Sequence, residues 1–345
     1  MNQEKYLDYI VEETQKVLAI DSPTGYTASA AEFVMEEYRK LGYEPQMTTK
    51  GGVFVDLGGE NKEDGLVLAA HIDTLGAMVC EVKSNGNLKV SPLGGMNPNN
   101  AEAENCRIVT RFDGVYSGTF QLNNASIHVN GEYNDTQRKY DDMEVVLDEN
   151  VSSAEETKKL GIMTGDIVCF DPRTVITESG YIKSRFLDDK LSVGILLGFA
   201  KYLKEEHITT KQRIYHHITV YEEVGHGGAA SMPDGVKEMI SVDMGCVGEG
   251  LACTERQVSI CAKDSNGPYN YDVVTRLIKA AKEENIDFAV DVYPHYGSDV
   301  DVALEAGYDI RHGLIGSGVY ASHGYERSHK DGVLNTFRLL CAYVK

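Results

Sequence analysis

Three segments suited to a sheet interior each give way to side chains that can carry charge. Leu66-Val-Leu-Ala-Ala70 leads into His71-Ile-Asp73, Ile214-Tyr-His-His-Ile-Thr-Val-Tyr221 into Glu222-Glu223, and Met239-Ile-Ser-Val242 into Asp243. A short apolar run without polar alternation reads as a strand covered on both faces, the texture of a parallel sheet flanked by helices. Open α/β sheets carry their functional groups at the carboxyl ends of such strands. Residues far apart in sequence then converge, and the chain is expected to be an α/β protein with a site at these strand ends.

The adjacent glutamates narrow the chemistry. Two carboxylates side by side repel each other, and nothing is gained unless a cation or a shared proton takes up the charge. Two further segments offer similar groups. Leu187-Asp-Asp-Lys190 places an acidic pair at the start of a predicted helix, where the dipole favours negative charge. Tyr320-Ala-Ser-His-Gly-Tyr-Glu-Arg-Ser-His329 is rich in histidine. Each feature alone has a plain explanation: a capping pair, a solvated strand end, surface histidines. Together they supply histidine nitrogen and carboxylate oxygen without cysteine, the ligand mixture of a catalytic rather than a structural zinc site. Such a mixture can hold two divalent ions when one carboxylate bridges them.

Helices are predicted over residues 3–20 and 27–41, joined by Asp21-Ser-Pro-Thr-Gly25, with Ser22 or Thr24 capping the second. Between Leu75 and Thr177 the texture changes to short alternating runs at 77–82, 88–90, 118–122, 126–129, 143–147 and 166–170, with one helix over 154–160. The α/β texture then returns, with helices predicted over 190–203, 271–285 and 335–344. The simplest architecture is one α/β domain made from residues 1–75 and 177–345, with a β-rich domain, 76–176, inserted after the first His-x-Asp strand.

With 345 residues, 42% of them hydrophobic, such a chain can bury a large core. A net charge of −20 argues against nucleic acid or anionic membrane as partner. The segment Met1 to Val11 lacks the basic start and apolar core of a secretory signal, and no apolar stretch is long enough to cross a bilayer. The cysteines (Cys80, Cys106, Cys169, Cys246, Cys253, Cys261, Cys341) are never spaced as CxxC and read as reduced residues of a cytoplasmic protein.

In order and spacing, Ala70-His-Ile-Asp-Thr-Leu-Gly76, Gly86-Asn-Leu-Lys-Val-Ser-Pro-Leu-Gly-Gly95, Leu187-Asp-Asp-Lys190, Val220-Tyr-Glu-Glu-Val-Gly225, Ser241-Val-Asp243 and Gly297-Ser-Asp299 resemble the glutamyl aminopeptidase and tetrahedral aminopeptidase family of dinuclear metallopeptidases. Some members were formerly labelled endoglucanases. The likeness covers nearly the whole chain. It implies a mixed-sheet, phosphorylase/hydrolase-like α/β catalytic domain of the zinc exopeptidase type, with a small β-rich dimerisation domain inserted. It also implies two divalent ions per subunit, zinc first, with cobalt or manganese as substitutes. His71 and Asp243 would hold one ion, Glu223 and a C-terminal histidine the other, and Asp188 would bridge them, followed by Asp189 across a cis peptide found in related enzymes. Asp73 would orient His71 through its other ring nitrogen. Glu222 would be the general base. His323 and His329 compete for the last ligand position; His323 is preferred, because its distance from the terminal helix at Leu334-Asn-Thr336 fits the family better. The chain departs from the family pattern at Thr74, where an acid is common, at Lys190, where arginine is usual, and at His226-Gly227.

The implied activity is release of N-terminal residues from peptides by a metal-activated water, with Glu222 moving the proton. Successive residues at a strand end point in different directions, so Glu223 can face a metal while Glu222 faces the substrate. A carboxylate-rich site suits a terminal ammonium, and no arginine cluster argues for a terminal carboxylate. Metal-dependent carboxypeptidase or deacylase action on the same core is the nearer alternative. A metal-independent glycoside hydrolase is the more distant one, and the absence of tryptophan counts against it. A third, a metal-binding assembly protein without catalysis, would be indifferent to loss of Glu222. The expected partners are peptides and copies of the chain itself, up to a dodecamer.

Overall fold

The computed structural model describes residues 4–345; residue 3, where the first helix is predicted to start, lies outside the described residues. The strand Asn61–His71 occupies the middle of a large sheet because Leu66, Val67 and Leu68 need no contact with water and are fully buried. It pairs in parallel with Gln212–Thr219 on one side and Val236–Val247 on the other, and the latter pairs in parallel with Arg311–Tyr320. Antiparallel strands extend both flanks, giving the order Gln46–Met47, Val53–Gly58, Gln212–Thr219, Asn61–His71, Val236–Val247, Arg311–Tyr320, Glu326–His329, Tyr181–Ser184, Val175–Ile176. Val258–Lys263 and Phe288–Val292 complete an 11-stranded mixed sheet among the described residues.

Register aligns the functional positions. His71 lies opposite Thr219, and Ala69 opposite Ser241, so Asp243 comes level with His71. The prediction that Asp243 follows its strand is corrected: the strand runs on to Val247, with Asp243 inside it opposite Gly316. A Cβ at Gly316 would fall 1.8 Å from the Asp243 carbonyl oxygen, so only glycine fits beside the Asp243 backbone. The predicted strand to Tyr221 is likewise shorter, ending at Thr219.

The helix Leu187–Glu205 is apolar nearly all round and is buried along most of its length. Gly198 lets it approach Lys5–Leu18 closely; a Cβ there would lie 2.2 Å from Ile10 Cγ1. Ala28–Lys40 starts behind Thr27 without a side-chain cap, so neither Ser22 nor Thr24 caps it. Ser22 donates to the Ile72 carbonyl instead, at 2.8 Å. The terminal helix, Lys330–Tyr343, starts five residues earlier than its apolar pattern implies because His329 Nδ1 accepts the Asp331 N–H at 3.0 Å and acts as the cap.

Met1–Asp73 with Arg173–Lys345 forms one unit, and Thr74–Pro172 a second. The second unit is a closed barrel with strand order Gly76–Val82, Leu88–Leu93, Met143–Leu147, Val115–Leu122, Asn105–Val109, Ile167–Phe170. Alternate side chains fill it, with Phe120 edge-on to Phe170 at 5.6 Å. The alternation at 126–129 predicts a strand that does not form. Val129 and Asn130 donate to the Ser126 carbonyl in a turn, and Ile127 and Val129 point into solvent. Among the described residues no helix is long and apolar enough to cross a membrane.

His216 and His217, on the strand that leads to the glutamate pair, are buried as neutral rings. Tyr38 Oη and His216 Nδ1 share a hydrogen bond of 2.7 Å. Burial lowers His216 to about 3, and burial followed by the charge of Lys50 lowers His217 to about 4. Unfolded histidine takes up its proton near pH 6.5. The stability tied to the neutral rings is therefore complete above that pH and is lost as pH falls toward 4 and then 3. The urea midpoint is expected to fall between about pH 6.5 and pH 4, and more gently in His216→Gln. An equal slope in both proteins would contradict this assignment.

Candidate active site

Past Thr219 the chain leaves the sheet and closes a 3-10 turn, Glu222–Val224, between Tyr221 at φ 68° and Gly225 at φ 80°. Asp73 holds this turn. Its Oδ1 accepts the Glu222 N–H at 3.2 Å, and its Oδ2 accepts the Glu223 N–H at 3.4 Å and the Thr24 hydroxyl at 2.6 Å. The expected contact between the Asp73 side chain and the His71 ring is replaced by a backbone one. His71 Nδ1 lies 2.9 Å from the Asp73 carbonyl oxygen and 3.8 Å from the carboxylate, because two residues on one strand end bring the carbonyl nearer than the side chain.

With Nδ1 occupied, His71 Nε2 faces the acids. It lies 3.0 Å from Asp188 Oδ1 and 3.7 Å from Glu222 Oε2. Asp188 Oδ2 is 3.5 Å from His323 Nε2, which in turn is 3.6 Å from Glu223 Oε2. Asp188 therefore presents one oxygen to each histidine. It can do so because its ψ of 101° is not helical, so its side chain departs from the helix that follows. The Asp188–Asp189 peptide is cis. Asp189 accepts the His71 backbone N–H at 3.1 Å. Asp243 Oδ1 accepts its neighbour's N–H, from Met244, at 2.6 Å. His329 stands apart: its Nε2 meets the Ser179 carbonyl at 2.8 Å, and its other nitrogen is the helix cap. The structure thus brings His71, Asp73, Asp188, Glu222, Glu223, Asp243 and His323 together and leaves His329 out.

Three further residues support the site: Glu326 has no signal in the sequence, whereas Asp299 and Lys190 lie in segments that carry the family resemblance without a role being read for them. Glu326, fully buried, accepts the Asp188 N–H at 3.1 Å with one oxygen and the His323 N–H at 3.1 Å with the other. Asp299, in the Gly297-Ser-Asp299 segment, accepts a hydrogen bond from Thr219 and keeps a second buried oxygen without a hydrogen-bond partner. Lys190 donates to the Ile20 carbonyl at 2.6 Å.

The electrostatics are those of crowded acids. Burial, then the charge of Asp188, pushes Glu223 up to about 8, and the same pair of causes brings Asp243 to about 7. Burial, then Asp243, Asp299 and Glu223, lifts Glu222 well above the usual carboxylate range against the pull of His71. Burial would raise Asp188 too, but its hydrogen bonds to His323 and His71 hold it well below that range. His323 is raised to about 10, first by Asp188. Glu223 Oε1 and Asp189 Oδ1 are buried without a hydrogen-bond partner. Two groups, His71 with Asp189 and Asp243, and His71 with Asp188 and Glu223, have ligand atoms within 4.8 Å of one another. Mutually repelling carboxylates with unused oxygens beside histidine nitrogens fit a divalent cation.

These groups open onto a cavity of about 800 Å³ lined by Asp188, Glu222, Glu223, Asp243 and His323 at one end. Residues 51–339 match the M42 glutamyl aminopeptidase family. The chain belongs to that family. The chain is therefore a peptidase of the aminopeptidase type. YhfE of Bacillus subtilis (strain 168), provisionally named an aminopeptidase, is 41% identical to this M42 chain over 335 residues, covering 97% of each. The fold matches the TET aminopeptidase of Thaumarchaeota archaeon SCGC AB-539-E09 with a TM-score of 0.88 at 18% identity, over 98% of this chain and 96% of that one. It matches the TET1 peptidase of Pyrococcus horikoshii, which can assemble into a tetrahedron or a large octahedral shell, with a TM-score of 0.84 at 20% identity, over 97% and 99%.

Glu326 generates a prediction. Glu326→Gln replaces one acceptor with a donor and leaves a backbone N–H at Asp188 or His323 unmatched. Affinity for Zn²⁺, read by chelator competition, is expected to fall about 10- to 100-fold, the usual cost of disturbing a residue that orients ligands. Unchanged affinity would show that Asp188 and His323 hold their places without it.

Proposed function

We propose that this M42 chain is a two-metal aminopeptidase that releases N-terminal residues from peptides, with Glu222 as general base. The observation that carries this reading is Asp188, whose oxygens lie 3.0 Å from His71 Nε2 and 3.5 Å from His323 Nε2. A carboxylate facing a histidine on either side supports two ions that share it. His71 and Asp243 would complete one position, and Glu223 and His323 the other. Asp189, although within reach of His71 and Asp243, has one oxygen committed to the His71 backbone. When bound, zinc or a similar divalent ion would polarise the scissile carbonyl and lower the pKa of a water held there.

Glu222 is left to move the proton. Asp73 fixes its backbone, its carboxylate stands 3.7 Å from His71 Nε2, and the same cavity receives it. Burial among like charges raises its proton affinity, so it can take a proton from the attacking water and deliver it to the leaving amine. Neither lysine nor arginine lines the cavity among the described residues. That favours a substrate's terminal ammonium over its terminal carboxylate and supports aminopeptidase over carboxypeptidase action.

The barrel unit is assigned to assembly of a homo-oligomer. Phe112, Val115 and Val129 on it are 83%, 59% and 75% exposed, more apolar surface than a barrel this small needs to leave uncovered.

Glu222→Gln is expected to retain its metal by elemental analysis while kcat falls about 10²- to 10⁴-fold. Glu223→Gln is expected to lose metal first and activity with it. A chelator should silence the wild type, and N-acetylated peptides should resist cleavage. Preferential cleavage of the acetylated peptides would refute the aminopeptidase reading.

A further inference from the structure

Beyond the carboxylate–histidine end, the cavity has a second wall of a different kind. The helix Asp299–Glu305 presents Asp301, Val302 and Glu305 to it, and Met244 and Tyr296 add apolar surface. Asp301 and Glu305 are one helical turn apart and project to the same side. Asp301 is anchored: its Oδ2 accepts the Ser298 N–H at 2.9 Å in the capping box of that helix. Burial, then a hydrogen bond with Asp264 behind it, pushes Asp301 up to about 7, a shift that an arriving cation would reverse. Glu305 is exposed and makes no hydrogen bond or ion pair with a described residue. Among the described residues, the exposed His295 is the only basic side chain on this wall.

If the aminopeptidase reading holds, the terminal amine and the scissile carbonyl of a substrate occupy the histidine end. The first residue's side chain leaves the Cα between them, and the second wall lies in the same cavity to receive it. A long aliphatic stem would lie along Val302, Met244 and Tyr296, and a charged head would reach the helix. An ammonium or guanidinium finds two carboxylates there without competing cations. An acidic side chain finds the same two carboxylates and is repelled. We propose that this M42 chain selects peptides whose first residue is lysine or arginine and rejects acidic ones, with Glu305 and Asp301 reading the charge. The inference rests on the aminopeptidase reading and runs against the glutamyl specificity in the family's name.

The test uses the metal-loaded enzyme with the p-nitroanilides of Lys, Arg, Leu and Glu. The expected kcat/KM for Lys and Arg is about tenfold above Leu and at least about a hundredfold above Glu. Glu305→Gln, at an exposed position where folding is not at stake, should cut the Lys-to-Leu ratio about threefold or more with Leu unchanged, and Glu305→Lys should reverse the order of Lys and Glu. A fastest rate on Glu or Leu, or ratios indifferent to both substitutions, would overturn the proposal. A second measurement separates it from the reading beneath it: calorimetric binding of lysinamide and glutamic acid amide to metal-loaded Glu222→Gln. If no anilide is hydrolysed while lysinamide binds more tightly and does so through Glu305, the aminopeptidase reading fails and the charge preference stands. Tighter binding of the glutamic acid amide overturns the preference whatever the hydrolysis data.

Discussion

Parallel pairing along Asn61–His71 is the constraint on which the rest depends. Two neighbours in register set the level of every group that follows: Thr219 opposite His71 leads into the glutamate turn, and Ser241 opposite Ala69 brings Asp243 to the height of His71. A slip of one residue in either pairing would turn Asp243 to the other face of the sheet or lift the turn away from Asp73. The apolar run Leu66 to Ala70 resists such a slip because both of its faces are covered, and the bare backbone at Gly316 keeps the next strand close.

Concentrating acids at that level costs free energy, and backbone N–H groups offset part of it. Asp73 takes the N–H groups of Glu222 and Glu223, and Glu326 those of Asp188 and His323. Each of these buried carboxylates spends its oxygens on main chain and thereby positions a different side chain. Hydrogen bonds from the backbone to a charged acceptor are among the stronger ones available inside a protein. The remaining repulsion, visible in the raised Glu223 and Asp243, is what a cation would relieve.

Much of this was legible in the sequence because it depends on short-range pattern. The central strands, the inserted β-rich segment and the glutamate pair past its strand follow from apolar periodicity and its interruptions, whereas Asp243 lies inside a strand that runs past the apolar pattern to Val247. What was not legible depends on backbone conformation or on distant partners. The spacing of His71 and Asp73 allows either carbonyl or carboxylate to meet the ring, and only the folded turn decides for the carbonyl. Asp188 sits in a helix-forming sequence, yet its non-helical ψ sends the side chain toward both histidines. Glu326 looks like any acid in a polar stretch, since its role requires two N–H groups, one of them 138 residues away. Residues 126–129 alternate as a strand would, but Asn124, with φ 56°, and the turn after it take them off the ladder.

The Glu326 clamp has a consequence for how this site can change. Glu326 pairs with Ser184 across an antiparallel ladder, so the segment that leads to Asp188 and the segment that carries His323 are bound to one another by sheet and by side chain at once. The two halves cannot drift separately. An insertion or deletion between 320 and 329 would displace Asp188 as well as His323, whereas the turn bearing Glu222 and Glu223, held from Asp73, would stay in place. Elements outside that clamp, among them the helix Asp299–Glu305, can vary at the cavity wall without moving either segment.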